Sequence, residues 1–440
     1  MFTLPLLYHL HLSVMFKFCA FSLFFVLCFF KAQSQTPKPQ TDTVKVVNDS
    51  IKRVAFIKSL ANGYLPTKYV DFDLKYLFKY NQYEGFRTGL GGETNQTFSQ
   101  KYKLAAYAAY GFRDQRLKYG FSGGIRLIPN TNTWINLSYT DDLLESGSSN
   151  FLTDKRFFQV FQPRLLNINL FHRHVTKALS FSHQVSPKLL SEIQFAFSDI
   201  DPTYNYNYFY KNRLYHNFDL ATTTLSFQWS PFSIYESIND VIKETKNGYP
   251  KFTLQYMQSY RNAFGSDFDF SKIDFRTLHQ ITHKNTSKSE FLLRSGLALG
   301  HVPLTHLYHA YPNNINKETL LQRFSVGGFY SFETMFFNEF FSDRYATLQL
   351  KHYFKAFNIA NRFKPQLVVS TRFAIGNMNH IARHHNITFN TLNKGYTEST
   401  IEINKLLFGF GLSGSYRYGA YHLPNLEDNI AIKFTFNITL

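Results

Sequence analysis

The chain alternates between apolar and polar residues with a period of two from about Tyr69 to its C-terminus. The pattern is clearest over 430–440, where Ile, Phe and Leu occupy the even positions and Ala, Lys, Thr and Asn the odd ones. Over 116–127 the odd positions are apolar or Gly, and the even positions carry Arg, Lys, Gly and Ser. Since successive side chains of a β-strand point to opposite faces, such strands are expected to separate an apolar medium from a polar one.

About 17 stretches of this kind occur, and most are 8–12 residues long, close to the ~9–11 residues that a tilted strand needs to cross a bilayer. Strands of soluble proteins average ~5–6 residues. An open sheet of this size would leave unpaired backbone groups at its edges, and lipid offers no water to satisfy them. The sequence therefore predicts an all-β fold, a transmembrane antiparallel β-barrel over 69–440 with about 16 strands (range 14–18). A soluble β-sandwich or jelly roll is the alternative fold.

The N-terminus has the features of an export signal. Phe18–Phe30 form an apolar run, Lys17 precedes it, and Ala32-Gln-Ser34 follows with small residues suited to cleavage. The run is shorter than the ~20 residues that a membrane-spanning helix needs. The sequence therefore predicts a signal peptide over 1–34 and, with the barrel, localisation in the cell outer membrane.

Two alternatives stay open for this region. A lipoprotein signal would place a lipid on Cys28, although the preceding residue is large, and Met15 is an alternative start to Met1. The residues after the signal, 35–68, are polar and irregular, which predicts a linker or a short periplasmic segment.

Longer segments without alternation interrupt the strands, and they predict extracellular loops, which exceed periplasmic turns in length. The predicted loops are 141–176, 199–216, 230–249, 300–323 and 377–396. Within the third of them, Ser233–Lys246 have helical spacing, which predicts a loop helix or a constriction folded into the barrel.

Composition and charge narrow the set of partners. Charged residues make up 18% of the chain and the formal net charge is +17. Lys and Arg are spread along the chain without a run of five, so nucleic acid is not expected as a partner. Diffuse positive charge favours an anionic membrane surface instead. The expected partners are outer-membrane lipid and lipopolysaccharide and, during insertion, the barrel-assembly machinery. A periplasmic partner of unknown identity stays open.

The chain carries little of the chemistry of an enzyme. Its two cysteines lie in the first 30 residues, and HExxH, GxSxG, GxGxxG and P-loop motifs are absent. His380, His384 and His385 have helical metal-ligand spacing but no nearby carboxylate, so a solvated loop is the favoured interpretation. Asp267 and Asp269 form a weak calcium pattern without the remaining ligands. We expect no enzymatic activity, no cofactor and no metal.

Several segments, in order, resemble an outer-membrane family of unknown function from Bacteroidetes-type Gram-negative bacteria. The segments are Tyr83–Asn95, Leu104–Gly111, Phe112–Tyr119, Gly300–Pro303, Phe340–Tyr345 and Leu348–Phe354. The resemblance covers roughly Phe56 to Leu440 and implies the C-terminal barrel of that family, whose longer members begin with a carboxypeptidase-regulatory-like domain. We expect a barrel-only member of the family, without that domain and without the long middle region. The family implies no catalytic residues.

The family's layout is also similar to insertase barrels of the BAM type and to two-partner secretion barrels. The comparable stretch is Phe324–Gly328 together with the strand after Tyr345. The Arg-Gly-Tyr lid motif of those barrels is absent, so the similarity does not imply insertase activity.

Two groups of residues stand out as candidate structural or functional motifs. Gly85, Gly89, Gly91 and Gly92, followed by Glu93, predict bends or close strand packing in the first hairpin. A flexible substrate loop is the alternative.

The second group is Asp343, Arg344 and Tyr345. Asp343 shares parity with Tyr345 and is expected to face the lumen, whereas Arg344 shares parity with apolar residues on the lipid side. A charge at mid-bilayer on a lipid-facing strand position costs roughly 2–4 kcal/mol. Arg344 is therefore expected at a rim or in an ion pair, with a structural rather than a gating role.

These observations predict a non-enzymatic outer-membrane barrel with a transport, assembly or surface-scaffold role. A passive or gated diffusion pore is the first alternative, and a barrel-embedded hydrolase is the second. The transported or bound substrate, the openness of the lumen and the oligomeric state are not determined by the sequence.

Overall fold

The computed structural model describes residues Phe56, 59–60, 62–154, 164, 167–238, 241–360, 363–407 and 409–436. The predicted signal peptide and most of the predicted linker lie outside these residues. The chain divides into two units, Met1–Val54 and Ala55–Leu440, and the structure below is that of the second. In the part of the chain that the structure describes, no helix is long and apolar enough to cross a membrane.

The described residues form an all-β structure. The strands of the N-terminal half are β1 (Tyr64–Pro66), β2 (Val70–Asp73), β3 (Phe78–Asn81), β4 (Gly85–Thr94), β5 (Tyr102–Gly111), β6 (Arg116–Ile128), β7 (Thr133–Glu145), β8 (Phe171–Ser186), β9 (Leu189–Pro202), β10 (Asn207–Tyr210), β11 (Arg213–Tyr215), β12 (Phe218–Trp229), β13 (Ile234–Ile238) and β14 (Val241–Lys246). The strands of the C-terminal half are β15 (Lys251–Ser259), β16 (Phe270–Thr282), β17 (Lys288–Gly300), β18 (Pro312–Asn314), β19 (Ser325–Val326), β20 (Phe332–Phe336), β21 (Arg344–Tyr353), β22 (Gln366–Asn377), β23 (His384–His385), β24 (Tyr396–Leu407), β25 (Phe410–Tyr418) and β26 (Ile430–Phe436). Short 3₁₀ turns cover Leu74–Tyr76, Pro129–Thr131, Ala263–Gly265, Leu304–His306, Ile381–Arg383, Gly419–Tyr421 and Leu426–Asn429.

Nineteen of these strands form one sheet, the predicted antiparallel barrel wall. From β4 onward the wall runs through β5, β6, β7, β8, β9, β12, β15, β16, β17, β21, β22, β24, β25 and β26, each antiparallel to the next. Both β2 and β3 pair with β4, at its C-terminal and N-terminal halves respectively, so together they occupy a single wall position. The described wall thus has sixteen positions, within the predicted range of 14–18.

The two faces of the wall differ as the sequence alternation predicts. On β26, Ile432 and Phe434 point outward, whereas Ala431, Lys433 and Thr435 are buried on the inner face. Residues 437–440 of the predicted last strand lie outside the described residues. On β25, Phe410, Leu412 and Tyr416 are exposed, and Ser413, Ser415 and Arg417 are buried inside. The outer face is therefore apolar and suited to lipid, and the lumen is polar.

Successive wall strands connect alternately at two ends of the sheet. We call them the loop end, which holds connections 82–84, 112–115, 146–170, 203–217, 260–269, 301–343, 378–395 and 419–429, and the turn end, which holds 95–101, 129–132, 187–188, 230–250, 283–287, 354–365 and 408–409. Four of the five predicted loops lie at the loop end. Two of these are shorter than predicted, because β7 continues to Glu145, β8 starts at Phe171 and β9 continues to Pro202.

The structure differs from the prediction for the remaining loop, 230–249, in two respects. This loop lies at the turn end, with the shorter connections, rather than with the other long loops. Its predicted helix is also wrong, since β13 and β14 form an antiparallel hairpin there. The Asn132 side chain donates a hydrogen bond to the Ile242 carbonyl at 3.2 Å, which fixes this hairpin against a neighbouring turn.

Buried apolar residues form two clusters at the loop end, where the connections contact the adjoining ends of the wall strands. The first brings together the connections 203–217, 260–269 and 378–395 around Tyr206, Tyr208 and Phe268. The second surrounds Phe332, Phe340 and Tyr396. Packed side chains therefore cover part of the loop end among the described residues.

Candidate functional site

Residues 301–343, between β17 and β21, fold into the lumen, and we call them the lumen loop. The carboxylate of Glu398 on β24 accepts hydrogen bonds from the backbone N–H groups of Glu333 and Thr334, at 2.8 and 2.9 Å, and from the Thr334 hydroxyl at 2.6 Å. Arg372 on β22 donates to the same carboxylate at 3.1 Å. Glu398 and Arg372 are almost completely buried. One wall carboxylate therefore fixes the lumen loop where water cannot compete.

A second contact joins the lumen loop to the last wall strand. The Lys433 ammonium lies 3.1 Å from a Glu333 carboxylate oxygen and donates a hydrogen bond to the Asn313 carbonyl. The Asn313 amide and the Ser331 hydroxyl donate to Glu333, each at 2.8 Å. Because these groups are buried and mutually paired, removing one of them would leave an uncompensated charge inside the barrel.

Further ion pairs follow the same wall. Arg417 on β25 binds Glu339 of the lumen loop at 2.7 and 3.1 Å, and Arg323 of the lumen loop binds Asp428 at 2.5 Å. Each joins the lumen loop to a residue far away in the sequence. Together with Glu398 and Lys433, they make the described part of the lumen loop a fixed lining of one side of the barrel.

The first residues of a second connection, 146–154, enter the lumen on the adjacent part of the wall. The Gln255 amide on β15 accepts from Leu152 N–H at 2.9 Å and donates to the Asn150 carbonyl at 3.0 Å. Thr153 bonds Ser226 on β12 at 3.0 Å. The described parts of the two connections thus cover the inner faces of the strands from β12 to β26.

The first and last wall positions do not pair with each other in the described residues. We call this junction the seam. The free edge of β26 pairs instead with β19 of the lumen loop, in parallel, through Ser325 with Lys433 and Val326 with Phe434. Gly327 N–H donates to the Phe434 carbonyl at 2.7 Å. A two-residue segment of the chain itself therefore covers the edge of the last strand.

Part of the other side of the seam is covered as well. β1 pairs antiparallel with β2 through Tyr64, Leu65 and Pro66. These residues fall within the predicted polar linker, so a part of that segment is a strand. Covering exposed edges in this way prevents unwanted pairing with other chains.

The structure places the predicted Asp343–Tyr345 motif at the loop end of β21. The Asp343 carboxylate accepts from Asn379 N–H at 2.7 Å, and Arg344 donates to the Asn379 side chain at 2.9 Å. Arg344 also lies 3.5 Å from Asp343 and is partly exposed. Tyr345 points into the barrel and packs against Tyr308, with ring centroids 4.5 Å apart. The contacts are those of a strand-end anchor, and a functional role for the motif stays a prediction.

The predicted glycine motif lies on β4. Gly85 has φ of +66°, which other residues adopt at a cost, and it begins the strand after the first turn. At Gly91 a Cβ atom would lie 2.4 Å from the Tyr76 ring, so a side chain there is excluded. Gly89 and Gly92 lie in the same strand, and Glu93 forms an ion pair with Lys103 at 2.9 Å. The glycine positions thus permit close packing, and a functional role of the motif stays a prediction.

His384 is buried rather than solvated, which corrects the sequence interpretation for this histidine. It lies on β23, which pairs with β10, and its Nδ1 is 2.9 Å from the Tyr206 hydroxyl. That hydroxyl accepts a hydrogen bond from Leu304 N–H at 3.0 Å, so its own hydrogen is directed at the imidazole. Burial, with smaller effects of Arg383, His385 and His380, lowers the pKa of His384 to about 3.

The pKa of His384 predicts a dependence of stability on pH. The folded protein holds this imidazole neutral, whereas the unfolded chain protonates it near its ordinary value of ~6.5. Its contribution is therefore complete above pH ~6.5 and decreases as the pH falls toward 3. We expect the wild type to lose more stability between pH 7 and pH 5 than His384→Phe, measured as the shift in urea midpoint. Equal shifts in both proteins would contradict this prediction.

Among the described residues, no group of three or more His, Cys, Asp or Glu side chains is arranged to hold a metal ion. Asp267 accepts from Asp219 N–H at 2.9 Å and so serves a neighbouring strand.

The fold defines the class of protein: an antiparallel sheet with an apolar outer face and a polar, loop-filled lumen, of the outer-membrane β-barrel type. BamA from Haemophilus ducreyi lacking POTRA domains 1–3 is similar in structure, with a TM-score of 0.50 and 9% identity over 83% of this chain and 68% of that one. CdiB from Escherichia coli is similar with a TM-score of 0.44 and 7% identity, over 80% of this chain and 59% of that one. CdiB from Acinetobacter baumannii is similar with a TM-score of 0.42 and 11% identity, over 81% of this chain and 57% of that one. The chain spans less than two thirds of either CdiB.

The chain belongs to a family of unknown function (DUF5686), whose C-terminal domain matches residues 66–363. No curated protein matches the sequence. The family membership agrees with the resemblance found in the sequence. The bacterial group and the N-terminal domain of longer members stay predictions.

Sequence reasoning missed the residues that hold the lumen loop. Glu398 and Lys433 occupy inward positions of the alternating pattern. Their partners in the lumen loop lie about 65 and 100 positions earlier in the chain, so no local pattern connects them. The available signal was charge: both are ionisable residues on the inner parity of membrane-spanning strands, where an unpaired charge is expensive.

Proposed function

We propose that this chain is a non-enzymatic outer-membrane barrel with an assembly or transport role, and that it acts on extended polypeptide segments at the seam. The observation that carries the proposal is the pairing of β19 with the free edge of β26. A strand edge with unpaired backbone groups takes up an extended peptide by adding it as a further strand. Only two residues of the lumen loop occupy this edge, so an incoming strand has little to displace.

The fold supports this proposal in a second way. The described loop segments cover the inner faces from β12 to β26, and buried ion pairs hold the lumen loop there. A wide open pore for large solutes is therefore not the favoured function. The likeness to BamA supports the fold alone, and its low identity carries no residue role to this chain.

A disulfide that fixes β19 on β26 tests the proposal. The variant Val326→Cys with Phe434→Cys places two thiols at directly paired positions, and the chain has no other cysteine after Cys28. The oxidised variant is expected to behave like a deletion strain when cells are grown with detergent or large antibiotics. Reductant should restore wild-type growth.

The matched control is Thr371→Cys with Ser399→Cys, a pair on adjacent wall strands with hydroxyls 3.1 Å apart. Its disulfide joins strands that are already paired along their length and should leave growth unchanged. Normal growth of the oxidised Val326–Phe434 variant, with the disulfide verified, would exclude the seam as the working site.

The proposal includes export and cleavage of the predicted signal peptide, which lies outside the described residues. Mass spectrometry of the membrane-extracted protein should find a mature N-terminus near Gln35. Unboiled protein should migrate differently from boiled protein in SDS gels. A diacylated Cys28 would establish the lipoprotein alternative, and a monomer soluble without detergent would contradict the membrane location.

A further inference from the structure

The part of the lumen next to β4, β5 and β6 is lined differently from the rest. Here the inward-facing side chains contact one another and β7: Arg87 binds Asp142, Lys118 binds Glu84, and the Tyr107 hydroxyl donates to Asp142. Among the described residues, the lumen loop meets this side only at the end of β7, where the His309 Nε2 atom lies 2.7 Å from the Glu145 carboxylate. This side of the barrel therefore has a separate interior.

Two cavities lie along this side. A cavity of about 670 Å³ at the loop end is lined by residues that include Tyr83, Lys118, Asp142 and Tyr204. A second cavity, of about 240 Å³, is lined by small and polar inward-facing residues, among them Glu93, Ala105, Ser122, Ser138 and Thr140, together with Tyr76 and Tyr107. Both are predominantly polar, which suits water and hydrophilic solutes.

One layer of side chains separates the two cavities. Asp142 lines the first and Tyr107 the second, and the Tyr107 hydroxyl donates to Asp142 at 2.8 Å. Arg87 holds the same carboxylate with two hydrogen bonds, at 2.6 and 2.8 Å. The Tyr76 ring stacks on Tyr107 with centroids 4.2 Å apart and planes 10° from parallel. We call these four residues the tyrosine layer.

Two glycines make room for this layer. A Cβ atom on Gly91 would lie 2.4 Å from the Tyr76 ring and 2.7 Å from the Tyr107 Cβ. A Cβ atom on Gly120 would lie 2.6 Å from the Tyr107 ring. The rings thus lie against backbone on β4 and β6, the two strands that flank β5. Rotation of Tyr76 and Tyr107 away from these glycines would join the cavities.

We propose that the two cavities form a gated route for water and small hydrophilic solutes, and that the tyrosine layer is its gate. This activity is separate from the action on polypeptides at the seam. Charged side chains of both signs line the two cavities. Around the first, Asp114, Asp141, Asp142 and Asp201 lie with Arg116, Lys118 and Arg173, and Arg87 neutralises Asp142. Around the second, Asp73 and Glu93 lie with Lys75, and Lys103 pairs with Glu93.

Single-channel recording of the full-length protein in planar bilayers tests this. The wild type is expected to open rarely and briefly. Tyr76→Ala with Tyr107→Ala should raise the open time or the mean conductance several-fold. Tyr107→Phe keeps the ring and loses only the bond to Asp142, so its effect should be smaller.

The matched control is Tyr139→Ala. Tyr139 also stacks on a neighbouring tyrosine, Tyr119, with centroids 5.8 Å apart, but at outward-facing positions of β6 and β7. Its removal should leave conductance at the wild-type value. Equal conductance of the double variant, the control and the wild type, all showing heat-modifiable migration, would overturn the proposal.

A cysteine at the gate gives a test that does not depend on removing a ring pair. In Tyr107→Cys the only thiol after Cys28 lies between the cavities, and a small charged thiol reagent added in the bath should change its conductance within minutes. No reaction of a folded Tyr107→Cys protein would contradict a route through this layer. The oxidised Val326–Phe434 variant should retain the route, so failure of the seam proposal and failure of this one are distinguishable.

Discussion

Replacing Glu398 by Ala is expected to release the lumen loop from the barrel wall. The substitution removes the acceptor of two backbone N–H groups and of the Thr334 hydroxyl, and it leaves the Arg372 guanidinium buried with one partner fewer. Breaking a buried ion pair by removing one partner costs ~3–5 kcal/mol. The unfolding midpoint in urea should fall, and protease sites in 301–343 should become accessible.

Glu402→Ala is the matched control for this prediction. Glu402 faces inward on the same strand and binds Lys351 at 2.9 Å, a pair between wall residues without a backbone contact to the lumen loop. It should lower the unfolding midpoint while leaving the proteolysis of 301–343 at the wild-type rate. Equal proteolysis in both variants would show that Glu398 does not hold the loop.

Replacing Phe268 by Ala is expected to loosen the loop end without opening the wall. Phe268 is completely buried, and four aromatic residues surround its ring with centroids 5.0–5.8 Å away: Tyr208, Tyr210, Tyr215 and Phe218. Truncating a buried Phe to Ala typically costs ~3–5 kcal/mol. Proteolysis of 203–217 and 260–269 should accelerate, while heat-modifiable migration persists.

The same connection offers a matched control. Phe264 lies four residues earlier and is 86% exposed, so Phe264→Ala should change stability by less than ~0.5 kcal/mol. If both variants were digested at the same rate, the cluster around Phe268 would not be what orders these loops.

The inward and outward faces could be predicted from single strands. Over 345–349, Tyr345, Thr347 and Gln349 are buried inside and Leu348 is exposed, as parity indicated. Strand faces follow from a local rule, since alternate side chains must point to opposite sides whatever the partner strand is. The predicted role of Asp343 and Arg344 does not follow from strand parity, because it depends on what the motif does in the membrane.

Local patterns failed where several structures fit the same residues. Ser233–Lys246 carry apolar residues at a helical spacing, yet the chain forms β13 and β14. A short apolar segment is compatible with either element, and here β-branched residues and a partner turn favoured the hairpin. The end of the barrel at which this hairpin lies follows from the number of strands that precede it. One missed strand boundary changes that number and moves the hairpin to the opposite end.

The sequence by itself determined the all-β class, the strand faces and the polar character of the lumen, because those depend on the order of neighbouring residues and on the solvent each face meets. Only the tertiary structure decided that 301–343 turn inward, that β19 covers the edge of β26 and that Tyr76 stacks on Tyr107 over Gly91. These features pair groups far apart in the chain. Their free energy comes from burying matched charges and rings together, which no periodicity along the sequence records.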